Sequence, residues 1–344
     1  MFDPHFSPGN FTSYMITSVR QFLVISGRSN DTPADTFDEL WIYNTISAIW
    51  KRYQPPVEFI RCFNYPIICS SNNKVYICCC KFNVNVLQHI NFIVSFDVIN
   101  TKWEIVYSYT HDKDDNMSPA IFIELLFIHN GSLYVMGIDE EEQINVMMFK
   151  FCLESKRWSS VQQFGERPDY NNNIYGTVFK NKLYIFEDDL DVTKKLREIK
   201  IFDLLTNVWT KRAIKSQNNQ YPLDRDCETY AFSCNCAYMS GGRAPNDMFC
   251  SDIWKIDLET LECSQLDYSH ETGICSHMIS VVDDTYLYRV GGQSFSSPCI
   301  NNVERFTLRL PSLLRLSLES ICRSPNINSY IKSLPAPIVN EFKL

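Results

Sequence analysis

Apolar and polar residues alternate with a period of two along most of the chain, and one phrase returns five times. It reads "LWIYNTISAIWKRY" (40–53), "IVSFDVINTKWEIV" (93–106), "MMFKFCLESKRWSSV" (147–161), "IKIFDLLTNVWTKR" (199–212) and "IWKIDLETLECSQL" (253–266). Each copy predicts a half-buried strand, a polar turn, and a second strand that opens on a large side chain. The marker positions are Trp50, Trp103, Trp158, Trp209 and Cys263, separated by 53, 55, 51 and 54 residues. A spacing that regular predicts a repeat architecture.

Further apolar runs precede or follow these phrases at the same spacing: "QFLVISG" (21–27), "NKVYICCC" (73–80), "GSLYVMG" (131–137), "NKLYIFE" (181–187), "CAYMSGG" (236–242) and "TYLYRVGG" (285–292). A glycine pair stands at Gly241–Gly242 and Gly291–Gly292 and is eroded in the other copies. Four short strands in about 50 residues, with a glycine turn and a late Trp, resemble the kelch pattern. The expected fold is an all-β, six-bladed kelch β-propeller over residues 1–310, followed by a helical tail over 311–344. The sixth copy keeps a third strand in "NNVERFTLRL" but no fourth. A sheet edge left there would be open to pairing, so residues 2–10 are expected to supply the missing outer strand.

Composition narrows the function. Of the 344 residues, 45% are hydrophobic and 21% charged, which is ordinary for a globular chain. The net charge of −8, with no extended basic run, disfavours nucleic acid as a partner. The fourteen cysteines are scattered through apolar runs and read as small buried residues. "MFDPHFSPGNF" lacks a basic stretch followed by an apolar core, and no run reaches membrane-spanning length. The expectation is a soluble protein of the cytoplasm or nucleus, without membrane contact.

No constellation for catalysis stands out. There is no phosphate loop, HExxH or G-x-S-x-G. The histidines (5, 89, 111, 129, 270 and 277) have no metal-ligand spacing, and Cys78–Cys80 and Cys234/Cys236 fall in predicted strands whose neighbours face opposite ways. The acidic runs "DEEE" (139–142) and "HDKDD" (111–115) read as solvated loops. No cofactor, metal or enzymatic activity is expected. The residues that would open each blade, or follow its glycine turn, include Arg28, Arg61, Arg225 and Arg243. Guanidinium groups converging on one concavity would suit a carboxylate; the alternative is that each pairs with a nearby acid, as Arg225 could with Asp224 or Asp226. His277 is grouped with these four as a candidate substrate-binding residue.

The tail reads differently. Ser312, Leu313, Ser317 and Ile321 resemble the BC-box of SOCS-type adaptors, [STP]-L-x-x-x-C-x-x-x-[VIL], with Ser317 where the motif prefers Cys. At helical spacing Leu313, Ser317 and Ile321 share a face. After a proline-broken linker, Leu334, Pro335, Ile338 and Phe342 match the Cullin-2 box pattern (334–342), with Pro335 suited to start a helix. A propeller followed by these two motifs resembles the kelch receptor subunits of Cullin-2 RING ubiquitin ligases; "FDELWIYNTISAIWKRY" and "LRLPSLLRLSLESI" look most like the kelch domain-containing protein 10 subfamily. That resemblance implies a non-catalytic subunit whose propeller captures a substrate, often by its C-terminal degron. The tail would dock Elongin B/C and Cullin-2 (or Cullin-5). Arg243 in "SGGRAPND" stands where related receptors hold the degron carboxylate. The competing expectations are a cytoskeletal or signalling kelch scaffold whose tail packs on itself, and a propeller oxidase with metal ligands converging on the channel.

Overall fold

The computed structural model describes residues 11–29, 39–56, 64–83, 88–108, 118–139, 146–168, 174–187, 196–216, 218–295, 302–335, 338–339 and 341. Its strands form six antiparallel sheets arranged as the blades of a propeller. Blade 1 comprises Phe11–Val19, Phe22–Ser29, Glu39–Asn44 and Ile49–Tyr53; blade 2, Asn64–Ser71, Lys74–Asn83, Gln88–Asp97 and Lys102–Tyr107; blade 3, Ile121–His129, Ser132–Asp139, Val146–Cys152 and Arg157–Ser160. Blade 4 holds Ile174–Phe179, Lys182–Glu187, Glu198–Asp203 and Val208–Ala213, and blade 5 holds Thr229–Phe232, Cys236–Ser240, Asp252–Asp257 and Glu262–Ser269. Blade 6 has three strands among the described residues, Met278–Val282, Tyr286–Val290 and Val303–Thr307. The expected outer strand from residues 2–10 lies outside the described residues, as do most of the acidic runs 111–115 and 139–142.

The repeated phrase is the third strand, hairpin and fourth strand of a blade. Its turn is set by the last residue of the third strand. Asp97, Asp203 and Asp257 each turn a carboxylate back onto the amides two and three residues ahead, and Asn44 does the same with its amide oxygen. Such Asx turns compete with strand continuation and so stop it at a fixed place. In blade 3 the equivalent residue is Cys152, whose Sγ accepts from Ser155 N.

The marker residues fill the wedges between blades. Trp103 packs in the core shared by blades 1 and 2, Trp158 in that of blades 2 and 3, and Trp209 in that of blades 3 and 4. Cys263 is fully buried between blades 4 and 5. Trp50 joins Leu23, Ile25 and Trp41 against Val282, Tyr286 and Tyr288, which closes blade 1 on blade 6. Ser18 Oγ donates to Val281 O at 2.6 Å and Tyr14 Oη to Val290 O at 2.9 Å across that seam.

Two linkers stitch neighbours together. Phe164–Gly165, leaving blade 3, pairs in parallel with the outer strand of blade 4; Lys215–Ser216, leaving blade 4, does so with blade 5.

This topology separates two ends. The short hairpins, such as those at Arg20–Gln21, Thr45–Ala48 and Asp283–Asp284, lie at one end of the toroid, while the glycine turns and blade-to-blade linkers leave from the other. At the hairpin end lies the tail. Helix α1 (Leu313–Arg323) is capped by Ser312, whose hydroxyl accepts from Arg315 N at 3.1 Å, a cap of about 1 kcal/mol. A second helix, α2 (Ile327–Ser333), occupies what the sequence suggests is a linker. Its proline, Pro325, stands just ahead of the helix instead of interrupting it. Ile338 N and Val339 N both donate to Pro335 O, at 2.9 and 3.1 Å.

Candidate functional site

The loop end holds Arg225, Arg243 and His277 of the predicted substrate-binding residues, at unequal depths. In blade 5 the strand Cys236–Ser240 runs into Gly241 (φ +60°) and Gly242 (φ +105°). A Cβ on Gly242 would lie 2.9 Å from both Arg225 Cδ and Asp226 O, so the close approach of the linker to this turn requires glycine. The approach makes a two-way bridge: Arg243 N donates to Asp226 O (2.7 Å) and Asp226 N to Arg243 O (2.9 Å). Blade 6 repeats it after Gly291–Gly292, with Gln293 bridging Cys275 in both directions. Arg243 and Gln293 are therefore equivalent, and both are exposed.

Arg225 and Arg243 differ sharply. The Arg225 side chain is 0% exposed. Its Nη1 donates to Gly241 O at 3.0 Å and also pairs with Asp252, its Nη2 donates to Asp252 Oδ2 at 2.9 Å, and its Nε to Leu223 O at 2.9 Å. Burial works to raise the Asp252 carboxyl, but Arg225 and the Trp254 indole outweigh it and hold it below its ordinary value. This corrects the reading of Arg225 as a ligand contact. It is a framework residue that fixes the glycine turn, and its partner is Asp252 instead of Asp224 or Asp226. Arg243 is exposed and takes Asp226 instead, with Nη2 at 3.1 Å and Nε at 3.3 Å from the two carboxylate oxygens. Its remaining donors face solvent near Asp247.

His277 is also deeper than a surface contact. It is buried between the two glycine turns, its Nε2 2.9 Å from Ser240 Oγ. Ser240 Oγ also meets His270 Nε2 at 2.6 Å, and His270 Nδ1 meets Glu304 Oε2 at 3.0 Å. Arg289 closes the chain on Glu304 at 2.8 Å. Burial first, then the charges of His270 and Arg289, push the His277 pKa well below its ordinary value. Burial works to raise the Glu304 carboxyl, but His270 and Arg289 outweigh it and hold it low. Ser240 is fully buried, and this Glu–His–Ser chain joins blade 5 to blade 6. Nothing in the sequence spacing of 240, 270, 277, 289 and 304 announces it.

Arg28 is the penultimate residue of its strand on the loop side, paired in register with Ser13. Its side chain lies outside the described residues, and so does Arg61. The first strands of the blades enclose a channel of about 760 Å³, bordered by Glu124, Thr177, Cys227, Glu228, His277 and Ser280. On the loop end Leu223, Met248 and Phe295 are exposed, the last at 96%. Among the described residues no three His, Cys, Asp or Glu side chains are placed to hold a metal ion. Cys78, Cys79 and Cys236 are buried in their strands; Cys234, expected in a strand, instead sits exposed in a hairpin turn.

At the hairpin end α1 is two-faced. Arg315, Leu318 and Glu319 are buried against blades 1 and 6, with Leu318 at 4% exposure. Leu313 is 82% exposed, and Leu314, Leu316 and Ser317 also face out. Ile321, Leu334 and Ile338 are half-buried, Pro335 is exposed, and Phe342 lies outside the described residues. No helix among the described residues is long and apolar enough to cross a membrane.

Comparison with known proteins agrees with this architecture. The solved structure titled "Structure of YjhT" superposes on 87% of this chain and 95% of its own with a TM-score of 0.57, at 13% identity, which speaks to the fold alone. Kelch domain-containing protein 10 of Homo sapiens and of Bos taurus are each 24% identical over 215 residues, 60% of this chain and 48% of theirs. The leucine-zipper-like transcriptional regulator 1 homolog of Drosophila melanogaster is 23% identical over 192 residues, 52% of this chain and 19% of that one. The chain thus spans about half the length, or less, of these curated relatives. The family model described as the KLHDC2/KLHL20/DRC7 Kelch-repeats domain matches residues 124–311, more than half of the chain. With six blades, wedge tryptophans and glycine turns already in view, the chain belongs to that kelch-repeat family.

Proposed function

We propose that this kelch propeller is the substrate-recognition subunit of a Cullin-RING ubiquitin ligase. The loop end holds a protein substrate, and the tail docks Elongin B/C and Cullin-2 (or Cullin-5). The subunit performs no chemistry itself; it acts by holding the substrate beside a charged ubiquitin-conjugating enzyme. The observation that carries the reading is the outward leucine face of α1. Leu313 and Ser317 stand one turn apart on the side of the helix turned away from the propeller, and exposed leucines clustered this way mark a surface that wants a partner. That surface lies opposite the loop end, so docking would leave the substrate face open.

At the loop end we assign Arg243, exposed there, to a C-terminal carboxylate, which would have to displace or share Asp226. Arg243→Ala should weaken binding of peptides with a free C-terminus and spare amidated ones; equal binding of both by the unsubstituted protein would remove the degron assignment. For the docking half, Leu313→Lys should abolish co-purification with Elongin B/C while the propeller stays folded. Elongin retained by that variant would overturn the reading. A second reading, a kelch scaffold whose tail is purely its own packing element, draws on the buried Arg315, Leu318 and Glu319. It requires that the intact chain ignore Elongin B/C.

A further inference from the structure

The inward face of α1 holds the first and last blades together. Arg315 Nη2 donates to the carbonyl (3.1 Å) and hydroxyl (2.8 Å) of Thr45 in blade 1. Its Nη1 pairs with Asp283 of blade 6 at 3.1 Å, its Nε with Glu319 at 2.8 Å, and its guanidinium lies 5.2 Å from the Tyr286 ring centre. Glu319 in turn takes Arg305, on the third strand of blade 6, at 3.2 Å. Farther on, the Glu341 carbonyl accepts from Gln21 (3.0 Å) and Asn44 (3.3 Å), both in blade 1.

Two other seams are stitched by linkers that add a parallel strand to the next blade, at Phe164–Gly165 and Lys215–Ser216. Between blade 6 and blade 1 no such parallel linker strand is seen among the described residues. The tail bridges that seam instead.

We propose that α1 and the segment after it are the closing clasp of the propeller, and that this inward face organises the outward leucine face, so that the docking helix is fully formed only on a closed ring. An isolated helix of 11 residues is marginal in water. Leu313, Ser317 and Ile321 hold one register because Arg315, Leu318 and Glu319 are held from below. A receptor whose ring has opened would present a frayed helix, and an Elongin-type partner would bind it weakly. The clasp stands independently of the docking reading; only the coupling of closure to docking rests on it.

Hydrogen–deuterium exchange on the full chain tests both. In Arg315→Met the amides of α1, of the Thr45 hairpin and of the Asp283 turn should exchange at least about tenfold faster, since local opening frees them together. Asp283→Asn, a milder change that keeps the fold if Arg315→Met does not, should speed the same three places less. Leu313→Lys should leave all three unchanged. Unaltered exchange in the Thr45 hairpin for both clasp variants would overturn the clasp. Elongin B/C affinity should fall at least about tenfold for a clasp variant with α1 loosened, although Leu313 is intact. Full affinity there would overturn the coupling and leave the clasp. An unsubstituted chain that does not bind Elongin B/C would overturn the docking reading and the coupling with it, with the clasp decided by exchange alone.

Discussion

The two ends of this propeller use arginine in opposite ways. At the hairpin end Arg315 is buried and directs its donors to Thr45, Asp283 and Glu319, fixing the tail to the ring. At the loop end Arg243 is exposed, held only by the surface carboxylates of Asp226 and, at 4.0 Å, Asp247. Arg225 shows that position alone does not confer the second role. It lies at the loop end too, yet its donors are as fully taken up by the protein as those of Arg315. A guanidinium stays exposed where backbone bridging holds its residue at the rim, as the Asp226 bridge after the Gly241–Gly242 turn does for Arg243. It becomes framework where it is buried against an acid brought to it by the fold, as Asp252 is to Arg225.

Substitutions can sharpen that contrast, beginning with the largest effect. Gly242→Val places a branched side chain at φ +105° against Arg225 Cδ and Asp226 O. Strain and overpacking together cost roughly 2–6 kcal/mol, enough to unfold blade 5 or the whole ring in a thermal melt. Arg225→Met leaves Asp252, whose side chain is only 20% exposed, without its cation and should cost about 3–5 kcal/mol, measured by denaturant unfolding. Arg243→Ala should leave the melting temperature unmoved while changing peptide binding; a large loss of stability there would erase the difference between the two arginines.

Acidity offers a third handle. His277 has a folded pKa pushed below that of the unfolded chain, so the unfolded state binds the extra proton first. Its contribution is fully present above the ordinary histidine value of about 6.5 and is lost as pH falls below it. Asp252, Glu304 and Glu319 are likewise held low. For Glu319 burial opposes the shift, and Arg315 and Arg305 outweigh it. Their contribution is present above the ordinary carboxylate range and is lost as pH falls through the folded values. Unfolding midpoints should therefore decline in two steps, near pH 6 and again below about pH 4. His277→Gln should flatten the first step only. The smallest effect is expected from Leu313→Lys, whose side chain touches solvent and should change stability by no more than about 0.5 kcal/mol.

Much of the ring could be read from residues in order. Period-two alternation, the recurring Trp and the glycine pairs depend on local geometry, and local geometry is what a linear pattern records. The clasp could not be read that way. Arg315 and Glu319, at i and i+4, look like an ordinary surface ion pair, and only the packing of α1 onto Thr45, 270 positions earlier, buries them. Leu313, Leu314, Leu316 and Leu318 are equally apolar in the sequence; the ring decides that Leu318 turns in and the others out. Arg225 stands next to two aspartates, yet the fold brings Asp252, on the third strand of blade 5, to it instead. The BC-box spacing is visible in the sequence, but which side of the helix carries it is set by contacts far away along the chain.

If the outward face of α1 is a docking surface, the full chain should co-elute with purified Elongin B/C in size-exclusion chromatography. A stable complex is expected, lost in Leu313→Lys while the variant's melting curve matches the parent. Absence of a complex with the parent chain, or a complex that survives Leu313→Lys, would contradict the docking role.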